Sequence, residues 1–295
     1  MRIATAAYAM DPLPSWQAYV DKLHAWVAEA AAQGADLLVF PEYGAMELAA
    51  ISGQAGDLEA SLRAVSDLVP QVDALHAELA ARFSVHILAA SAPVFDAACH
   101  PTRPVNRARL VAPNGVVIGQ DKQIMTRFER ETWDVVAGGP LRAIETEFGT
   151  VGVLICYDAE FPLLGRALIE AGCDMILVPS CTDTWQGYHR VRTGAAARAL
   201  EGQCITVQSS TTGDCDWCPA VDENRGRAGV FAPQDGGMPD DGVLAFGPPD
   251  TSGWSYADID LAQIRDIRQQ GAVRGVAHWP EQIDRIARVE HITTR

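Results

Sequence analysis

Residues 151–179 read VGVLICYDAEFPLLGRALIEAGCDMILVP, in which two short apolar runs enclose an amphipathic one. Val151–Cys156 and Met175–Pro179 have the length and composition of buried strands, and Pro162–Ala171 predicts a helix between them. Strands that are apolar on both faces and are joined by a helix are typical of parallel sheets covered by helices. The segment therefore predicts a β-α-β unit of an α/β fold.

The same alternation extends to both sides of this segment. Arg2–Ala9 and Leu37–Phe40 predict strands around a helix that Ser15 caps and Gly34 ends. Further elements are expected at 58–83 (helix), 85–90, 106–111, 116–120 and 141–147 (strands), 188–200 (helix), and 204–208 and 229–232 (strands). Residues 211–249 are rich in Gly, Asp and Pro and predict long loops. With no evident linker, we expect one domain over residues 1–295, with a peripheral tail at about 281–295.

The composition excludes several classes of partner. The 295 residues include 38 Asp and Glu against 23 Lys and Arg, a net charge of −15, which repels nucleic acid and anionic lipid. The first ten residues are too weakly apolar for a signal peptide, and no run reaches the roughly 18 apolar residues of a membrane span. We expect a cytoplasmic protein that binds neither nucleic acid nor membrane.

The seven cysteines predict thiols rather than a disulfide framework, because their number is odd and no secretion signal precedes them. Cys215 and Cys218 have the spacing of half a zinc site or of a redox motif, but no second pair follows them. Plain thiols in a loop are favoured at this pair. No metal and no organic cofactor is expected.

Three polar residues follow the ends of predicted strands, where the sites of α/β folds collect. Glu42 stands in VFPEY, Lys122 follows a hairpin in GQDKQ, and Cys156 stands in VLICYD. Singly, they read as a solvated carboxylate, a surface charge and a small buried hydrophobe. Together, a carboxylate, an ammonium and a thiol form a nucleophilic apparatus for attack on a carbonyl or nitrile carbon. The usual nucleotide, zincin and serine-hydrolase motifs are absent from the sequence.

In these contexts the chain resembles the carbon-nitrogen hydrolase (nitrilase) superfamily. The matching stretches are Phe40-Pro41-Glu42, Asp121-Lys122-Gln123, the long motif Gly152–Pro162, Leu177–Ser180 and Ala197–Glu201. The resemblance covers roughly residues 1–280 and implies a four-layer α-β-β-α sandwich. It also implies a homodimer or larger homo-oligomer, paired through the helix after Cys156 and the helix that contains residues 190–200.

The resemblance implies a role for each of these residues. Cys156 is the nucleophile, and Glu42 is the base that accepts its proton and later returns a proton to the leaving group. Lys122 and the backbone N–H of Tyr157 stabilise the negative charge that develops on the substrate oxygen.

Members of the family usually carry a second glutamate that positions the lysine or the substrate. Glu129 and Glu131 are the candidates, and Glu131 is favoured by its distance to Gly138-Gly139. The glutamate that is not used would form a solvated salt bridge with a neighbouring arginine.

Glu160 stands near a position where many amidase-like members carry an arginine. An acidic residue there favours a neutral or cationic substrate over an anionic one, unless Glu160 forms a salt bridge with Arg166. The loop 180–189 is expected to line the pocket. Its candidate substrate contacts are Trp185, Tyr188 and His189, of which His189 could equally face solvent.

The triplet Cys-Tyr-Asp at 156–158 resembles the amidase branches, whereas nitrilases typically show Cys-Trp-Glu. The expected function is hydrolysis of a small amide or carbamoyl compound through a cysteine acyl-enzyme, with release of ammonia or an amine. Nitrile hydrolysis and acyl transfer by the same residues stay open, as does a non-catalytic binding protein on the same fold.

Overall fold

The structure is a computed structural model that describes residues 1–286 and 289–294. The strands are β1 (Arg2–Ala9), β2 (Leu37–Val39), β3 (His86–Val94), β4 (Val105–Val111), β5 (Val117–Asp121), β6 (Ile144–Glu145), β7 (Thr150–Val153), β8 (Met175–Ser180), β9 (Ile205–Asp214), β10 (Glu223–Asn224), β11 (Gly229–Phe231), β12 (Val243–Phe246) and β13 (Gly253–Asp258). The α-helices are α1 (Trp16–Ala32), α2 (Leu48–Ile51), α3 (Leu58–Phe83), α4 (Arg127–Glu131), α5 (Pro162–Glu170), α6 (Trp185–Gly202), α7 (Leu261–Gln270), α8 (Gly275–His278) and α9 (Ile283–Ile286). Short 3-10 turns lie at Gly44–Glu47, Cys156–Glu160 and Trp279–Gln282.

Strand β1 joins two halves of one curled sheet, whose order is β5-β4-β3-β2-β1-β9-β8-β7-β6. Residues 3–5 of β1 pair in parallel with β2, whereas residues 7–9 pair in parallel with β9. Along its other edge β1 pairs antiparallel with β13, from Arg2 opposite Asp258 to Ala7 opposite Gly253. The first strand of the chain is therefore completed by strands more than 200 residues away.

Alternate side chains of the central strands face two different layers of the core. Ala4 and Leu38 pack in a cluster with α1 and α3. Ile3 and Leu37 pack on the opposite face, in a cluster with residues of β7, β8, β9, α5 and α6. The order of layers is thus helices, half-sheet, half-sheet, helices, and the predicted α-β-β-α sandwich is confirmed.

Two predicted strands are shorter than expected, because side-chain oxygens accept backbone N–H groups near their ends that a neighbouring strand would otherwise bind. β7 ends at Val153, since the Asp158 carboxylate accepts the N–H of Ile155 at 3.2 Å. Of the strand predicted at 141–147, only residues 144–145 pair, as β6. The N–H of Arg142 donates instead to the side-chain oxygen of Gln120 at 2.8 Å. As a result Cys156 does not end a strand but begins a 3-10 turn.

Helix α6 packs directly on the turn that carries Cys156. A Cβ atom at Gly194 would lie 2.6 Å from the carbonyl oxygen of Ala159. The buried Arg198 of the same helix donates to that oxygen at 3.0 Å. Only glycine permits this approach, so α6 fixes the height of the turn above the sheet.

Gly194→Ala should lower the free energy of unfolding by about 1–3 kcal/mol, because the added methyl group must displace backbone rather than a side chain. Urea denaturation checks this value. Gly56→Ala is the control, since a Cβ atom there meets nothing within 4 Å. Equal urea midpoints for the two variants would show that the contact with the turn is not tight.

Two of the sequence-based predictions, the pairing of two copies and the peripheral tail, concern the surface of the protein. α5 and α6 expose Leu163 (78%) and Leu200 (53%), and pairing of two copies through these helices stays a prediction. The predicted peripheral tail, 281–295, falls in part outside the described residues. Within residues 1–286 and 289–294, no helix combines the length and apolarity needed to cross a bilayer.

Candidate active site

The carboxyl ends of β2, β5 and β7 lie at one edge of the curled sheet. β5 runs in the same direction as β3 because β4 is antiparallel to both, and β3 is parallel to β2. Glu42, Lys122 and Cys156 each follow one of these ends and line a common cavity of about 380 Å³. The topology thus brings together three side chains that are far apart in the sequence.

Lys122 lies between two carboxylates at the base of this cavity and is only 1% exposed. Its Nζ donates to Glu42 Oε1 at 2.7 Å and to Glu129 Oε2 at 2.6 Å. Burial by itself would lower the pKa of Lys122, but the two carboxylates outweigh it and raise the pKa well above its ordinary value. The raised pKa favours the charged ammonium form of this buried side chain.

Glu42 is buried and accepts hydrogen bonds at both oxygens. Besides Lys122, its Oε1 accepts from Asn106 Nδ2 at 2.9 Å, and its Oε2 accepts from the backbone N–H of Cys181 at 2.9 Å. Burial raises the pKa of Glu42, and the charge of Glu129 raises it further, against the opposing effect of Lys122. A carboxyl group with a raised pKa can both accept and return a proton near neutral pH.

Cys156 has an unusual backbone conformation for a residue other than glycine. Its φ is +52°, in the left-handed region, where strain is typical of functional positions. The thiol is buried, and Sγ lies 3.7 Å from the carbonyl oxygen of Cys181. Burial and the charge of Glu42 raise the pKa of Cys156 well above its ordinary value, against the effect of Lys122. The resting group is therefore a thiol, and a thiol becomes a nucleophile only when a base removes its proton.

The backbone N–H of Tyr157 belongs to the first turn of the 3-10 segment that Cys156 begins. N–H groups in the first turn of a helix have no carbonyl partner within that helix. Such a group next to a buried thiol can donate to an oxygen atom of a bound molecule. Tyr157 itself lines the cavity.

Asp158 connects the segment after Lys122 to the turn of Cys156. Its carboxylate accepts from the N–H groups of Gln123 at 3.1 Å, of Ile124 at 2.8 Å and of Ile155 at 3.2 Å. Burial raises its pKa to about 7, although Lys122 and these N–H groups oppose the shift. One side chain therefore fixes the relative position of the ammonium and the thiol.

The glutamate that contacts Lys122 is Glu129, which corrects the expectation for Glu131. Residues two apart on a helix point about 200° away from each other, so α4 can direct only one of them inward. Glu131 is exposed and pairs with Arg127 at 2.8 Å. Glu129 also closes a capping box with Thr126, and the pattern Thr-x-x-Glu at 126–129 is a sequence signal for the start of α4.

Glu160 lines the cavity, and the alternative that it forms a salt bridge with Arg166 is wrong. Its carboxylate lies 3.4 Å from Nε of Arg190, which also lines the cavity. Arg166 pairs instead with Glu170, one turn further along α5. Glu160 is thus partly neutralised by a group from α6.

Trp185, Tyr188 and His189 are not among the described residues that line the cavity, contrary to expectation. Their rings pack against one another, with the centroids of Trp185 and Tyr188 5.3 Å apart. The face of α6 toward the cavity presents Gly187 and Arg190 instead. The aromatic residues belong to another face of the same helix, and nothing in the local sequence distinguishes the two faces.

Several residues at the site were not anticipated. Tyr43, whose hydroxyl donates to Glu129 Oε1 at 2.9 Å, and Asn106 are buried around the carboxylates. Asp222 and Glu223 at the rim were not anticipated either, whereas Cys181, Thr182 and Asp183 at the rim belong to the loop 180–189 that was expected to line the pocket. Tyr43 directly follows Glu42 and could have been suspected, but Asp222 and Glu223 come from the weakly patterned loop region.

The cysteines offer no metal site within the described part of the chain. All seven are free thiols, and Cys215 and Cys218 are buried. No cluster of three or more His, Cys, Asp or Glu side chains suited to a metal ion occurs among residues 1–286 and 289–294.

This chain is similar to known proteins over most of its length. The chain is 31% identical over 274 residues to "Probable hydrolase YhcX" of Bacillus subtilis, a match that covers 93% of this chain and 52% of that protein. The chain thus spans about half the length of this relative. It is 26% identical over 277 residues to "Deaminated glutathione amidase" of Synechocystis, covering 90% of this chain and 94% of the relative.

Solved structures share the fold at lower identity. The C. elegans NitFhit protein superimposes with a TM-score of 0.75 at 20% identity, over 91% of this chain and 62% of that chain. A carbon-nitrogen hydrolase from Helicobacter pylori gives 0.75 at 16% identity, over 98% of both chains. The family model described as carbon-nitrogen hydrolase matches residues 3–269. The chain therefore belongs to the carbon-nitrogen hydrolase family.

Proposed function

We propose that the protein hydrolyses a small amide or carbamoyl compound through an acyl-enzyme on Cys156. The observation that carries this proposal is a buried group of three charges, in which Lys122 forms ion pairs with Glu42 and Glu129. These side chains line the same cavity as the thiol of Cys156, a residue with a left-handed backbone conformation. Relatives named deaminated glutathione amidase and omega-amidase support an amide as the substrate.

In the first half of the proposed reaction, the Cys156 sulfur attacks the carbonyl carbon and its proton passes to Glu42. The electron pair of the C=O bond moves to oxygen, where Lys122 and the N–H of Tyr157 stabilise the negative charge. The C–N bond then breaks as the oxyanion collapses. Glu42 returns the proton to the departing nitrogen, and ammonia or an amine leaves.

In the second half, water replaces the departed nitrogen. Glu42 accepts a proton from the water as its oxygen attacks the thioester carbon, and Lys122 again faces the oxyanion. The C–S bond breaks, the sulfur of Cys156 recovers the proton, and the carboxylic acid is released. One carboxyl group thus accepts and returns a proton in each half of the reaction.

Glu129 is assigned a supporting role in this proposal. It holds the ammonium of Lys122 at 2.6 Å, and its own pKa is lowered because Lys122 and the N–H of Thr126 outweigh the effect of burial. The carboxylate therefore stays ionised and anchors Lys122 beside Glu42.

The rim of the cavity favours neutral or cationic amides over anionic ones. Its two arginines are paired with glutamates, Arg190 with Glu160 and Arg127 with Glu131. The remaining carboxylates at the rim are Asp183, Asp222 and Glu223. They are exposed, so their effect on substrate choice is screened by water and modest.

A matched panel tests the proposal and its charge preference. Butanamide, 4-aminobutanamide and succinamate, with one carbamoyl compound and one nitrile, are incubated with the protein while ammonia is measured and Cys156 is examined by peptide mass spectrometry. We expect ammonia release and an acyl adduct on Cys156, with kcat/KM about five- to tenfold lower for succinamate than for 4-aminobutanamide.

Other outcomes of the panel would contradict the proposal in distinct ways. An adduct that is released only when an amine or alcohol is added would indicate acyl transfer. Turnover of the nitrile alone would indicate a nitrilase. An adduct on the partly exposed Cys99 rather than on Cys156 would show that the proposed nucleophile is wrong. The absence of both an adduct and ammonia would favour a binding role.

A further inference from the structure

Asn106 bridges the two carboxylates that flank Lys122. It is the second residue of β4, and because β4 runs antiparallel to β3 and β5, its start lies at the edge where β5 ends. The side chain is fully buried. Its Nδ2 donates to Glu42 Oε1 at 2.9 Å and to Glu129 Oε1 at 3.3 Å. A single uncharged amide therefore serves both carboxylates.

The other end of this amide has no partner. Within the part of the chain that the structure describes, Asn106 Oδ1 is buried and accepts no hydrogen bond. An unpaired buried carbonyl is unfavourable, and such groups require an explanation. Turning the amide over would direct this oxygen at Glu42 and Glu129, so the two carboxylates determine its orientation. The amide group keeps its two hydrogen bonds to the carboxylates, and its oxygen is left without a hydrogen bond among the described residues.

The charge balance of the site explains why an additional donor matters. Glu42 and Glu129 carry two negative charges against the one positive charge of Lys122, and repulsion between buried carboxylates favours the protonated form of one of them. A donor on the ionised form has the opposite effect. The titratable groups that face Glu42 come from each neighbouring segment, and they are Tyr43, Lys122, Glu129, Cys156 and Cys181.

We propose that Asn106 is a positioning residue that keeps Glu42 ionised and oriented as the base for Cys156. The inference rests on the proposed function, because it assigns Asn106 a task within that reaction. It acts through Glu42 and is not among the described residues that line the cavity. Without the hydrogen bond from Asn106, the pKa of Glu42 would be higher. At a given pH a larger fraction of Glu42 would then be protonated and unable to accept the proton of the thiol.

The test follows the alkylation of Cys156 by iodoacetamide as a function of pH, which requires no substrate. Asn106→Leu removes the donor at similar volume and should move the acid limb of this profile to higher pH by about one unit. Alkylation below the limb should be about tenfold slower. In amide hydrolysis kcat should fall over the same pH range while KM changes little.

Asn106→Asp has the shape of the native residue and is the second variant, should leucine disturb folding. It places a third carboxylate beside Glu42 and Glu129 and should move the acid limb in the same direction. Gln208→Leu is the control, since this fully buried amide donates to the hydroxyl of Ser180 at 3.5 Å and to neither carboxylate among the described contacts. Its limb should stay at the wild-type pH.

An acid limb at the wild-type pH in both Asn106 variants, with thermal unfolding showing that they are folded, would overturn the inference. A wild type that is alkylated at Cys156 but releases ammonia from no amide would count against the proposed function alone. The two failures are therefore distinguishable in the same set of samples.

Discussion

Cys156→Ala is expected to reduce amide turnover by about 10⁴-fold or more, because the variant has no sulfur to form the acyl-enzyme. Lys122 would still stabilise charge on a bound amide, but water would have to attack the carbonyl carbon directly. Removing one buried sulfur atom leaves a small cavity and should lower the free energy of unfolding by only about 1 kcal/mol. Ammonia release and urea denaturation measure the two effects separately.

Cys173→Ala is the matched control for this substitution. Cys173 is fully buried like Cys156, but it lies between α5 and β8, away from the cavity. The same atom is removed at a similar cost in stability, so turnover should stay near the wild-type value. Cys156→Ala turnover within tenfold of the wild type would rule out the proposed mechanism.

Glu42→Gln is expected to reduce kcat by about 10³- to 10⁴-fold, with KM changed only a few fold. Glutamine has the shape of glutamate, but its neutral amide cannot take the proton of Cys156 or return one to the leaving nitrogen. As the pH falls, the wild type should lose activity already above the ordinary carboxyl range, because the pKa of Glu42 is raised and protonation of Glu42 removes the base. This acid limb should vanish in the residual activity of the variant.

Glu131→Gln provides the comparison for the glutamate series. Glu131 is exposed and pairs with Arg127, so its change should leave kcat and the acid limb unaltered. Steady-state kinetics of the two variants across pH 4–9 decide the assignment. An equal loss in both would mean that the contacts at Lys122 do not determine the chemistry.

The fold and the place of the site could be predicted from the sequence because both depend on regular patterns. Apolar runs such as Val151–Val153 and Leu37–Val39 are buried on both faces, and parallel strands end at one edge. Glu42 and Cys156 follow such runs, whereas Lys122 follows the partly exposed hairpin strand β5, whose end the topology brings to the same edge. The four-layer arrangement itself came from the resemblance to a family, not from periodicity.

What could not be predicted depends on the direction of single side chains. Glu129 and Glu131 belong to the same short helix, and the choice between them is a matter of rotation about its axis. The aromatic residues at the start of α6 looked suited to a substrate but pack on one another. The rim residues Asp222 and Glu223 come from a loop region whose path no local pattern specifies.

The pairing of β1 with β13 also has a consequence for how the chain is made. β1 is synthesised long before its antiparallel partner, which ends at Asp258, so the central strand stays open along one edge until that partner has been made. The thiol of Cys156 likewise faces Glu42 only after the two halves of the sheet have closed on each other. A partly synthesised chain therefore carries Cys156 without its neighbouring carboxylate, and the thiol and the carboxylate come together only in the folded domain.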